Sequence, residues 1–172
     1  MDQWFLNEAR KGNVYHSHNT TTGEVTVLSA TCTGLVLENP YSSGKELVVA
    51  SMSYTGSTLS TIREIGIAVS SRVRIPVSTS TTAAVIHNGY VSGSNFNNGV
   101  GRAYSIATLA STPVWIRPLG SVRVTGAVEG LETITAEFDG TLIVMPGTYV
   151  CFSALTAAST GLCSMTWAEI DE

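Results

Sequence analysis

His16-Ser17-His18 is the tightest pairing of chemically capable residues in this chain. Histidines two apart in an extended segment point to the same side, and two imidazoles on one face are the beginning of a metal site. No third ligand accompanies them: residues 12–23, GNVYHSHNTTTG, hold no Cys, Asp or Glu. The remaining histidine, His87, is far away in sequence. The pair therefore reads as two solvated side chains in a polar, turn-rich loop. Cys32, Cys151 and Cys163 are odd in number, and their spacing fits no zinc or redox motif. Each sits among apolar or small residues and behaves as a small hydrophobe. A Cys151–Cys163 bridge between neighbouring strands is the pairing to check.

Other chemistries fail on spacing. Glu129, Glu132, Glu137 and Asp139 could supply an acid/base pair, but they fall as the polar edge of a strand would. Serines abound without a nucleophile-elbow sequence. Gly99-Val100-Gly101 opens no helix, so it is not a phosphate loop. Asn19-Thr20-Thr21 matches a glycosylation triplet by chance, since Met1-Asp2-Gln3 has no basic start and no long apolar core follows. No catalytic, metal-binding or cofactor-binding residue is assigned, and an enzyme is not expected.

Bulk properties agree. For 172 residues and 18.1 kDa, area scaling gives roughly 8,000 Å² exposed when folded against about 26,000 Å² unfolded, enough burial for one full core. Charged residues are 13% of the chain, about half the usual share. A net charge of −4 argues against nucleic acid as a partner. Arg63, Arg72 and Arg74, the only basic clustering, read as solvated side chains. No apolar run is long enough to span a membrane. Ser, Thr, Gly and Val dominate, which disfavours long helices and suits strands and tight turns.

The elements follow. Trp4, Phe5 and Leu6 are consecutive rather than spaced by three or four, so residues 1–23 are read as an extended arm and loop with an apolar docking triplet. Residues 24–172 are read as the β-domain. Strands are expected at Glu24–Ala30, Leu35–Leu37, Glu46–Tyr54, Ile62–Ser70, Ala103–Leu109, Pro113–Leu119, Val122–Val128, Thr133–Phe138, Leu142–Met145, Tyr149–Leu155 and Gly161–Ile170. Asn88-Gly89 between short apolar runs predicts a hairpin. Gly93–Gly101 reads as a surface loop. Short strands punctuated by Gly, Pro and Asn imply an all-β, antiparallel β-sandwich, and uneven loops favour a jelly roll.

The stretch FDGTLIVMPGTYVCFSALT raises one further point. Pro146 presets a type II turn and Gly147 supplies its positive φ. Both flanking strands are apolar on both faces, so something beyond the sandwich core must cover them. Loops over a central strand would do so. A subunit interface would as well, and that reading assigns Leu142, Val144, Tyr149, Cys151 and Phe152 to contacts in a homotrimer.

The order TCTGLVLENPYSSGKELVVASMSY, WIRPLGSV, FDGTLIVMPGTYVCFSALTAASTG and SMTWAEID resembles a group of tailed-phage virion proteins. The matching positions are Gly34–Lys45, Gly140–Val150 and Thr166-Trp167-Ala168-Glu169, with Ala168 where an acid is commoner. The resemblance spans roughly residues 30–170. It implies a jelly-roll module similar to trimeric virion proteins, made in the host cytoplasm and located in the virion. The expected function is that of a capsid decoration (cement) protein binding the major capsid protein or another virion protein, with Trp4, Phe5 and Leu6 as the docking arm. The alternative is a tail or fibre module that binds a host-surface glycan, for which Tyr90, Phe96 and Tyr104 are the candidate aromatics.

Overall fold

The computed structural model describes residues 3–19, 23–57, 62–91, 98–122 and 133–172. One helix, α1 (Gln3–Lys11), precedes thirteen strands: β1 (Val14–His18), β2 (Gly23–Val25), β3 (Thr31–Asn39), β4 (Lys45–Gly56), β5 (Arg63–Val69), β6 (Ser78–Ala83), β7 (Val85–Asn88), β8 (Arg102–Leu109), β9 (Val114–Val122), β10 (Thr133–Glu137), β11 (Ile143–Val144), β12 (Thr148–Ala154) and β13 (Ser159–Asp171). They form two antiparallel sheets. The first runs β10-β4-β13-β1-β7, with β11 on β4 and β2 on β13; the second runs β6-β8-β3-β12-β5-β9.

Early strands pair with late ones. β1 lies against β13, β3 against β12, β4 against β10 and β5 against β9. The chain is thus one long ribbon, doubled back on itself and rolled so that successive pairs fall in alternate sheets. That is a jelly roll. β6, β7 and β8 are an insertion between β5 and β9 and extend both sheets sideways. The core between the sheets is built from alternate residues, including Leu35 and Leu37 of β3, Ile65 and Ile67 of β5, Phe152 of β12 and Trp167 of β13. β-branched and aromatic residues recurring at period two produce this inward face.

Three regions depart from the sequence reading. Residues 3–11 are helical rather than an extended arm. The helix stops at Gly12, whose φ is +80°, with Gly12 N donating to Ala9 O and Asn13 N to Glu8 O. These two bonds are a Schellman cap. Glu8 is buried and accepts from Lys11 Nζ at 2.7 Å and Asn13 Nδ2 at 2.8 Å, which locks the last turn onto β1. Residues 14–18 are not a loop: β1 sits inside the first sheet, with Val14, Tyr15 and Ser17 buried and the two histidines outward. The β-domain therefore begins before residue 24. Asn88-Gly89 makes no hairpin, because β7 pairs with β1. Asn88 Nδ2 instead donates to Gly12 O at 2.6 Å, and Gly89 N donates to Val14 O at 2.8 Å.

Smaller differences occur at Glu24–Ala30, where strand ends at Val25, and at Ser78–Ala83, a polar strand that the sequence reading passed over. The strand expected at Val122–Val128 falls largely outside the described residues, as do Glu129, Glu132, Phe96 and Thr20-Thr21. The Met145-Pro146-Gly147 turn forms as expected: Thr148 N donates to Met145 O at 3.1 Å, and Gly147 has φ +80°.

Candidate functional site

The expected interface residues are already covered by their own chain. Leu142, Val144 and Phe152 belong to the core between the sheets. Tyr149 and Cys151, at 1% and 0% exposure, lie on the outer face of the second sheet in a separate apolar cluster with Cys32, Val36, Ala68, Val77 and Tyr104. The segments before β6 and β9 close over this cluster. Ala110 N donates to Val77 O at 3.0 Å, and Tyr149 Oη donates to Ser111 O at 2.5 Å. Burial drives the Tyr149 phenol pKa well upward. Loops over a central strand, rather than a partner subunit, thus cover the second face of β12.

What remains exposed near the turn is the opposite side of β11. Ile143 and Met145, with Val73 and Ile116, are 46–54% exposed and line one cleft of about 380 Å³ floored by Leu142 and Val144. Large apolar side chains gathered around one surface cleft form the kind of patch that often serves an interaction.

The three histidines come together. β1 and β7 place His16 opposite His87, and the His18 and His87 rings stack with centroids 6.3 Å apart. His16 Nδ1 is 3.0 Å from Thr166 Oγ1. Burial, and then the neighbouring His87, hold the His16 pKa below its ordinary value. Among the described residues no three of His, Cys, Asp or Glu are grouped to hold a metal ion. The approach of His87 had no local signal, because it depends on a strand pairing across some seventy residues of chain.

The cysteines are free and buried. Cys151 is on the outer face of the second sheet and Cys163 in the core of the sandwich, so they do not pair. Cys32 lies in the same outer cluster as Cys151, and its hydrogen bond, ahead of burial, holds the Cys151 thiol pKa well above the usual range. Asn19 is buried: Nδ2 donates to Gly161 O at 3.0 Å and Oδ1 accepts from Cys163 N at 2.6 Å. It is a structural tie, not a glycan acceptor.

The closing Trp167-Ala168-Glu169 motif has a structural role. Glu169 is buried; Oε2 accepts from Val100 N at 2.8 Å, and Oε1 accepts from Gly101 N at 2.9 Å and Trp167 Nε1 at 3.2 Å. Tyr15 stacks on Trp167 at 6.0 Å. Three donors fill most of the acceptor sites of this carboxylate. It pins the segment entering β8 onto the first sheet. Added Cβ atoms at Gly99 and Gly101 would stand 2.7 and 3.0 Å from Glu169 Oε1, so the glycines let the backbone reach the carboxylate.

The docking triplet sits on α1. Trp4 is 37% exposed, Phe5 and Leu6 are half-buried, and the Trp4 and Phe5 rings meet edge to face at 5.6 Å. The helix lies on the outer face of the first sheet, where Trp4 and Phe5 share a cavity with Ser51 and Thr166.

No family model, curated protein or solved structure matches this chain.

Proposed function

We propose that this chain is a capsid decoration protein: a jelly-roll subunit that associates as a homotrimer and binds the outside of a tailed-phage shell, through the major capsid protein or another virion protein. The fold by itself does not carry this reading, since jelly rolls serve many functions. The apolar cleft at the Met145-Pro146-Gly147 end carries it. Val73, Ile116, Ile143 and Met145 are large apolar side chains exposed around one cleft. Such a patch is stable in water when a second copy covers it. The resemblance of the turn motifs to tailed-phage virion proteins supports a particle as the setting for that self-association.

The test has two parts. Sedimentation equilibrium in dilute buffer reads the mass, and three chain masses are expected; a monomer at micromolar concentration rejects the trimer. Quantitative mass spectrometry of purified particles reads the ratio of this chain to the major capsid protein. A ratio near that of the shell subunits supports decoration. A small fraction of it supports a tail or fibre module. The glycan-receptor alternative has lost one of its aromatics, because Tyr104 is buried in the outer cluster, while Tyr90 remains exposed.

A further inference from the structure

Between α1 and the outer face of the first sheet lies a cavity of about 240 Å³. Its floor is a row across three strands: Glu137 of β10 opposite Ser51 of β4, and Ser51 opposite Thr166 of β13. Side chains paired this way share one face of the sheet. Trp4 and Phe5 form one wall, and Asp139, at the turn after β10, completes the rim. Among the described residues no Lys, Arg or His lines it. Glu137 and Asp139 are exposed and hold no ion pair among the described residues, where the ion pairs are Lys11–Glu8 and Lys45–Asp171. Arg117 stands over the Phe138 ring, 5.3 Å from its centroid, and does not line the cavity.

The lining selects for charge. Aromatic faces are electron-rich and attract cations. Two carboxylates nearby add negative potential, and no basic side chain among the described lining residues neutralises it. An anion is repelled, and an apolar guest would strip water from both carboxylates without replacing it. A cationic head with a short apolar stem satisfies all parts at once: the stem lies on the rings and the head faces the acids. The volume suits one side chain, not a folded segment. A lone cation–π contact at an exposed site is weak, so a free amine would be held poorly. The same group carried on a protein surface resting against α1 gains from its neighbours, and copies in an oligomer add through avidity.

We propose that this cavity receives a lysine or arginine side chain presented by a partner protein. The docking role expected of Trp4 and Phe5 becomes a receptor role: they accept a side chain instead of inserting into one. The proposal is independent of the virion reading, because any partner with a basic surface meets its terms.

The test titrates the full ¹⁵N-labelled chain with the tripeptides acetyl-Gly-Lys-Gly-amide and acetyl-Gly-Arg-Gly-amide. The glutamine tripeptide and glucose serve as neutral probes. Saturable shifts of the Trp4 indole N–H and the Glu137 amide are expected with the two basic peptides only, fading as salt is raised. The double variant Glu137→Gln, Asp139→Asn should weaken binding about tenfold or more, the scale of two lost charge contacts. Asn tolerates the φ of +47° at position 139, so the turn is kept. Trp4→Ala should abolish the shifts. The unperturbed remainder of each spectrum verifies the fold. The proposal is overturned by silence towards both basic peptides, by equal shifts with the glutamine peptide, by glucose binding in their place, or by binding that survives the double neutralisation.

Discussion

Gly147 and His16 show how single residues are held to one form. An added Cβ at Gly147 would stand 2.5 Å from Val73 Cγ1 and 3.0 Å from Tyr41 Cδ2, on a backbone already at φ +80°. Gly147→Val therefore meets both backbone strain of about 1–3 kcal/mol and a collision. A lower urea midpoint is expected, and an unchanged one would remove the type II turn from the account. His16 carries a pH dependence whose sign is fixed. Its folded pKa lies below the ordinary 6.5, from burial first and then from His87. The folded chain therefore takes up this proton less readily than the unfolded one. Stability from this group is intact above pH 6.5 and declines as pH falls from there towards the folded pKa. Melting temperature should drop between pH 7.5 and 5.5, and His16→Gln should flatten the slope. An identical slope in the variant would remove His16 from the account.

At the scale of elements, Trp115 of β9 lies over Gly66 of β5: a Cβ at Gly66 would be 1.7 Å from Trp115 Cζ3. Gly66→Ala must push the indole off the sheet, at a cost of about 1–3 kcal/mol, as overpacking usually does. A red-shifted tryptophan emission with a lowered melting temperature is the expected signature, and native emission would show that the ring can yield without leaving. Strand interiors such as β3, β5 and β12 were legible because β-branched and aromatic residues at period two leave little choice. α1 was not, since Trp4-Phe5-Leu6 is consecutive and the one buried residue is a glutamate. Its readable signals were Arg10, Lys11 and Gly12 at the C-terminal end. β1 was hidden because its outward positions are histidines. For β12 the sequence pattern indicated that both faces are covered. It could not say by what, because Val77 and Trp115, which lie over the second sheet, are distant along the chain.

The whole molecule exposes 8446 Å², against roughly 8,000 Å² for a compact protein of this mass. Residues 3–11 are folded as α1 rather than extended, so the proposed association would use the body of the sandwich. Ile143→Asp with Met145→Asp places two charges in the cleft while leaving Leu142 and Val144 in the core. Sedimentation should then give a monomer with an unchanged circular dichroism spectrum. A trimer that persists would move the interface elsewhere on the sandwich. The jelly-roll class was legible from strand number and punctuation. The pairing of first strands with last was not, because register between distant segments leaves no local trace.

That pairing also sets when the molecule can assemble during synthesis. β13 is synthesised after β1 to β12, yet it lies in the middle of the first sheet, between β4 and β1. Until residue 171 emerges, β4 and β1 have no common neighbour, and both offer unpaired backbone to other chains. The nascent first sheet must therefore wait, open-edged, for β13, and non-local closure of this kind is slow, typically on the order of milliseconds to seconds. Stopped-flow refolding should show acquisition of β-structure and burial of Trp167 in one concerted step. A chain cut before Ser159 should aggregate instead of folding. A soluble, folded truncation would mean that the first sheet can close without its central strand.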